Sequence, residues 1–523
     1  MRFAIAAFVI VCLAGVSISQ TGDVSPERRR LRADLEFLSS EALAGRASLS
    51  REAEIAARYI AADFARTGLQ PAAGGSYLQE FPLIAYTADP RQRVLTLTRG
   101  GVRKSFNAGS DFNGAFGRDV RIGPREVVFA GYGISAPEYG YDDYANVDAT
   151  GKVVLMFDHE PQESDAQSVF GGTGHTLHAG RAMKAANARR HGAAAVLIAS
   201  EPLRDHPGLL ERRASEINRD QPLRASAPTQ TPDDEMQIPV FSISDNVLAE
   251  LLSALDRQPA DLQREIDASL HPRPAVLPDT MIELRSGNAE THRGTSLNVV
   301  GLLEGSDPTL KSETVLLIAH YDHLGVQNGR VYPGANDNAS GTVAVMELAR
   351  LFMAGGERPK RSLLFVVFGS EEQLMLGSYY YTAHPVRPLA STRAVLNLDM
   401  IGRDEAGTSE DTSNSLNLVG TYYSADLLDA IERENRNVGL ALDTKLDREH
   451  VVNALFRCDH LPFLVAGIPA VWLFGGFHPG YHEPSDTVEK LNFSKMEKVV
   501  RLAYRVAAEL ANSPRAPRFA AGR

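Results

Sequence analysis

Three short apolar runs constrain this chain more than any other feature, because each stops at residues of the kind that bind metal ions. Residues 314–319 run into His320-Tyr321-Asp322-His323, 363–368 into Gly369-Ser370-Glu371-Glu372, and 394–398 into Asp399. Runs of this length, separated by a helical segment, predict parallel strands buried on both faces. In an open α/β sheet the carboxyl ends of such strands line the binding crevice. The fold class expected is α/β, with a mainly parallel central sheet flanked by helices. One helix starts near Gly341, where Val345, Leu348, Ala349 and Phe352 share a face. Another carries Met496, Val499, Val500, Ala503, Ala507 and Leu510 on its stripe, with Ser494 and Glu497 in capping-box spacing at its start.

At 523 residues the chain exceeds one ordinary core, which predicts two folding units, one inserted in the other. Near Gly114 the character changes. Short apolar strands follow at 126–129, 152–157 and 194–199, with a helical stretch at 180–191 before the last. This smaller α/β unit closes with 238–243 and a helix at 247–255, after which the Pro-rich 270–278 predicts a return linker and 204–234 a polar excursion. The boundaries expected are a leader at 1–19, the first part of the main domain at 24–113, the inserted domain at 114–275, the rest of the main domain at 276–513 and a frayed tail at 514–523.

Met1-Arg2, an apolar run to 16 and Ser17-Ile18-Ser19 predict a signal peptide, hence export to a periplasm or the exterior. The run is too short to span a bilayer, and no other stretch reaches roughly 18 apolar residues. The mature chain then keeps only Cys458, so no internal disulfide forms. A net charge of −11 without a basic stripe argues against a nucleic-acid partner.

Two cations a few ångströms apart need neutral nitrogen donors and several carboxylates. His320 and His482 supply imidazoles; Asp337, Glu372 and Asp399 supply oxygens. Asp337 is the candidate bridge, because Gly334-Ala335-Asn336-Asp337-Asn338-Ala339-Ser340-Gly341 is a loop of small residues that lets backbone approach the ions. Nitrogen and oxygen donors without thiolate favour zinc, with manganese or cobalt also fitting. Adjacent Glu371 and Glu372 cannot both point one way along a strand, so one binds metal and the other moves a proton. Asp322 is placed to hold the second nitrogen of His320. His323, His460 and His478 read as supporting or surface histidines, since His320 and His482 already complete a site, and Cys458 reads as a buried thiol.

His320-x-Asp322, the small-residue loop, Glu371-Glu372, Asn397-Leu398-Asp399-Met400-Ile401-Gly402 and Tyr481-His482-Glu483-Pro484-Ser485-Asp486-Thr487 together resemble the cocatalytic di-zinc aminopeptidase family, of the aminopeptidase Y and leucyl aminopeptidase type. The resemblance implies two Zn2+ per chain, one held by His320, Asp337 and Asp399, the other by Asp337, Glu372 and His482. It implies Glu371 as general base, Asp322 as support of His320, Tyr481 as a hydroxyl for the tetrahedral oxyanion, and a cis peptide at Asp337-Asn338. The activity implied is removal of N-terminal residues from peptide substrates through a hydroxide bridging the zincs. Carboxypeptidase or glutaminyl-cyclase-like chemistry, or a non-catalytic receptor, are the alternatives on the same fold. Residues 114–275 resemble the protease-associated domain through Gly131-Tyr132-Gly133, Tyr141-Asp142-Asp143-Tyr144, Gly151-Lys152-Val153-Val154 and Lys184-Ala185-Ala186-Asn187-Ala188, which implies a lid or substrate-selecting role. Cys458 departs from the family pattern, where serine is common.

Overall fold

A computed structural model describes residues 26–114, 119–208, 210, 229–230, 238–449 and 452–520. The leader expected over 1–19 and most of the excursion expected over 204–234 lie outside them. The strand Thr314–His320 pairs in parallel with Ser362–Phe368 on one side and Thr392–Asp399 on the other, and Thr392–Asp399 pairs in parallel with Ala470–Phe474. Every residue of Thr314–His320 and Ser362–Phe368 is buried, as a parallel centre covered on both faces requires. The strands that flank this centre pair with it antiparallel: Asn288–Leu303 joins Ser362–Phe368 to Leu78–Ala88, and Ser415–Val419 lies on Ala470–Phe474 and pairs in parallel with Ala441–Asp443 beyond it.

Side-chain alternation divides the core between the two faces. Val315, Leu317 and Phe365 pack with the helices Arg51–Thr67, Gly341–Ala354 and Phe493–Asn512, through Phe64, Val345, Phe352 and Val499. Leu316, Ile318 and Val366 face the opposite way, onto Tyr381 and Phe463. The cap of the last helix differs from expectation. Asn492 accepts the Lys495 N–H, so Ser494 is already inside the first turn, and Ser494 and Glu497 instead receive the guanidinium of Arg28.

The second sheet also has a parallel centre, formed by Val120–Phe129, Val153–Phe157, Ala195–Ala199 and Val240–Ile243. Some of its strands come from outside 114–275. Val94–Arg99 and Val102–Ser105 precede that span, and Ala275–Ser286 runs antiparallel between Val94–Arg99 and Val120–Phe129. The linker expected over 270–278 is therefore partly strand. Pro278 sits where the register shifts between Val276 and Met281, a place a strand tolerates proline. Nor does the tail fray at 514. Arg518 Nε lies 2.8 Å from Asp426 Oδ2 and Phe519 stacks on Tyr423, so an ion pair and an aromatic face hold it as far as residue 520. Among the described residues no helix is long and apolar enough to cross a membrane.

Candidate metal centre

Strand register brings the polar residues to one edge. Ile318 lies opposite Asn397 and His320 opposite Phe368, so His320, Asp399 and the Glu371-Glu372 pair leave the sheet together. The loop of small residues closes over them. Asp486 Oδ2 accepts the N–H groups of Asn336 and Asp337 at 2.9 and 3.0 Å, and Asn338 Nδ2 donates to Leu398 O at 3.0 Å. The Asp337-Asn338 peptide is cis. A Cβ on Gly341 would stand 1.9 Å from Leu398 O, so only glycine lets the following helix start this close to the strand.

Asp337 sits between two donor groups. His320 Nε2 is 3.5 Å from Asp337 Oδ1 and 3.5 Å from Asp399 Oδ2. On the other side His482 Nε2 is 3.1 Å from Asp337 Oδ2 and 3.4 Å from Glu372 Oε2. Donors at roughly 2.0–2.2 Å around one ion stand about 3–3.5 Å apart, which matches both groups. The buried His320 Nε2 and Asp399 Oδ1 have no hydrogen-bond partner among the described residues. Buried polar atoms left so are costly unless a cation takes their lone pairs. The residues present therefore fit a pair of divalent ions sharing Asp337.

The same proximity sets the proton affinities of these groups. Burial alone would raise the Asp337 and Glu372 carboxyls and lower the His482 imidazole. Their proximity outweighs it: Glu372 is held well below the usual carboxylate range and His482 is lifted to about 10. Glu371 is different. Burial, and the carboxylates of Asp459, Glu372 and Asp399, push it well above the usual range against the pull of His320, whose Nε2 lies 3.7 Å from Glu371 Oε2.

Asp322 reaches further than its spacing suggested. The second nitrogen of His320, Nδ1, lies 3.2 Å from the Asp322 backbone carbonyl and 3.7 Å from its carboxylate, whose oxygens accept the N–H groups of Glu371 at 3.0 Å and Glu372 at 3.3 Å. Tyr481 stacks on His482, ring centroids 3.8 Å apart, and burial drives its phenol well above the ordinary value. Cys458 Sγ donates to Asp399 Oδ2 at 2.8 Å and accepts from Asn397 Nδ2 at 2.9 Å.

His323, which the sequence set aside as a supporting or surface histidine, and Arg46, which it did not single out, both belong here. His323 Nδ1 stands 2.8 Å from Glu372 Oε1 and 3.7 Å from Asp337 Oδ2, so it belongs to the second donor group as closely as His482 does. Its place three residues after His320, just past a strand end, is the signal that could have found it. Arg46, wholly buried, donates to the carbonyls of Leu38, Tyr321, Pro333 and Gly334, tying the first helices to the loops that carry His323 and Asp337. No local pattern announces that role.

Residues 298–507 match Peptidase family M28 and residues 123–251 match the PA domain. The chain is 27% identical over 231 residues to "Aminopeptidase YwaD" of Bacillus subtilis, which covers 43% of this chain and 47% of that protein. It is 32% identical over 185 residues to "Leupeptin-inactivating enzyme 1" of Streptomyces exfoliatus, covering 35% and 36%. The chain thus spans less than half the length of these curated relatives. Among solved structures, an aminopeptidase from Aneurinibacillus sp. strain AM-1 aligns over 95% of this chain and 96% of its own, with 21% identity and a TM-score of 0.47.

Proposed function

We propose, from the matches of residues 298–507 to Peptidase family M28 and of residues 123–251 to the PA domain, that this protein is a zinc-dependent aminopeptidase acting on peptides. The observation that carries the reading is the Asp337 carboxylate, whose two oxygens face two separate sets of nitrogen and oxygen donors. In this reading His320, Asp337 and Asp399 hold one ion, and Asp337, Glu372 and His482 hold the other. The names of the curated relatives support cleavage at the amino end.

Held by these residues, zinc would supply a Lewis acid for a scissile carbonyl and lower the pKa of water toward neutrality. Glu371 is left free of both donor sets and faces the same space. Its high proton affinity suits it to take a proton from the attacking water and hand it to the leaving amine. Asp322 holds the backbone of Glu371 and Glu372, fixing the base relative to its neighbour. Tyr481 keeps its proton and so supplies a hydrogen-bond donor for the oxyanion.

Glu371→Gln is expected to retain the wild-type metal content and to lower kcat by about 10²–10⁴-fold. Unchanged turnover would remove Glu371 from the reaction. Efficient hydrolysis of N-blocked peptides, with free-amino ones untouched, would replace the aminopeptidase reading with another exopeptidase.

A further inference from the structure

A second convergence of imidazoles and carboxylates lies in the PA lobe, built at the same kind of place. In the parallel pair Val153–Phe157 and Ala195–Ala199, Phe157 lies opposite Ala199. The residues two beyond each strand end, His159 and Glu201, therefore emerge side by side. His159 Nδ1 is 2.9 Å from Glu201 Oε1 and 2.9 Å from Glu163 Oε1. His206 Nε2 is 3.2 Å from each oxygen of Glu163, and His175 Nε2 is 2.7 Å from Glu163 Oε1. One ligand atom each from His159, Glu163, Glu201 and His206 all fall within 4.8 Å of one another.

Hydrogen bonding alone does not account for this cluster. Glu201 is 1% exposed, yet neither of its carboxylate oxygens has a hydrogen-bond partner among the described residues. His159 Nδ1 approaches it at 2.9 Å without hydrogen-bond geometry. Glu201 and His159 Nδ1 are thus left with unused hydrogen-bonding capacity in the middle of the cluster, as His320 Nε2 and Asp399 Oδ1 are around Asp337, while Glu163 is held by His175 and His206. Two carboxylates balance the charge of one divalent ion. Imidazoles without thiolate suit zinc and its neighbours, whereas calcium and magnesium take oxygen donors.

We propose that His159, Glu163, Glu201 and His206 bind one divalent transition-metal ion of zinc type, at a site separate from the peptidase centre. His175 links that site to the peptidase domain. Its Nδ1 lies 2.7 Å from Asn453 Oδ1, and Leu177 N donates to Tyr423 Oη at 2.8 Å. Asn453 precedes Cys458, whose thiol holds Asp399. Glu163, a proposed ligand, is thus tied through His175 to the segment that leads to Cys458.

The test is zinc content of the full-length protein after exhaustive dialysis, for wild type, Glu201→Gln and Asp337→Asn. Wild type is expected to retain three equivalents. Glu201→Gln is expected to lose one, with zinc affinity at that site at least about tenfold weaker, while Asp337→Asn loses ions from the peptidase centre and keeps this one. Two equivalents in wild type and no difference in Glu201→Gln would overturn the proposal, leaving a cluster of protonated histidines paired with carboxylates. Should Glu201→Gln fail to fold, the wild-type count still decides, together with zinc titration of stripped Asp337→Asn: one equivalent bound supports the site, none refutes it. Loss of the Asp337-dependent ions is read separately, so the two metal assignments fail independently.

Discussion

Around Asp337 the backbone of two proposed ligands, Asp337 and Glu372, is fixed by groups outside the proposed ligand set, whereas around Glu163 the clustered side chains hold mainly one another. Asp486 and Asn338 clamp the loop of Asp337, Asp322 clamps Glu371 and Glu372, and Arg46 gathers four carbonyls beneath them. Glu163, by contrast, is contacted by three histidines of its own cluster. Both sites sit at the carboxyl ends of parallel strands. The difference is preorganisation: on the proposed assignments the first centre would be built before its ions arrive, and the second would be completed by its ion.

The largest effect should come from Asp337→Ala, which removes the shared carboxylate. Activity is expected to fall at least about 10³-fold, with near-native circular dichroism because the loop clamps remain. A variant that loses activity by unfolding would erase the contrast with the PA lobe. Next, Arg46→Ala leaves several buried carbonyls without a donor, and urea denaturation should report a loss of about 3 kcal/mol or more. A neutral Arg46→Ala would show that the clamp beneath the centre is dispensable.

Zinc binding should depend on pH with a definite sign. Without metal, burial lowers His482 but Glu372 and Asp337 lift it to about 10, against roughly 6.5 in an unfolded chain. That proton stabilises the zinc-free fold fully below about 6.5, and its contribution is lost as pH rises through about 10. Zinc must displace the proton, so apparent affinity should rise about tenfold per pH unit for each proton released. The zinc-dependent increase in Tm is expected to grow between about pH 5.5 and 8; a constant increment would argue against histidine ligation. The smallest effect is expected at Cys458. Cys458→Ala should weaken zinc binding about tenfold by freeing Asp399, and Cys458→Ser, which still donates, should restore most of it. Equal affinities for both variants would mean the thiol only packs.

The peptidase centre was legible because its polar residues follow apolar strands in sequence, so that strand ends in the chain are strand ends in space. The PA-lobe cluster offered only scattered histidines and glutamates, and nothing local shows that 157 and 199 share a register. The same limit hid the sheet partners of Val94–Arg99 and Ala275–Ser286: periodicity reports that a strand has a buried face, not which sheet buries it. Asn492 was passed over as a cap because Ser494 and Glu497 offered the more familiar spacing.

The central claim, a carboxylate shared by two ions, is tested most directly by anomalous scattering at the zinc edge from crystals of the zinc-loaded protein. Peaks are expected on both sides of the Asp337 carboxylate, one toward His320 and Asp399 and the other toward Glu372 and His482. A single peak, or none, in density that shows those side chains clearly would contradict it.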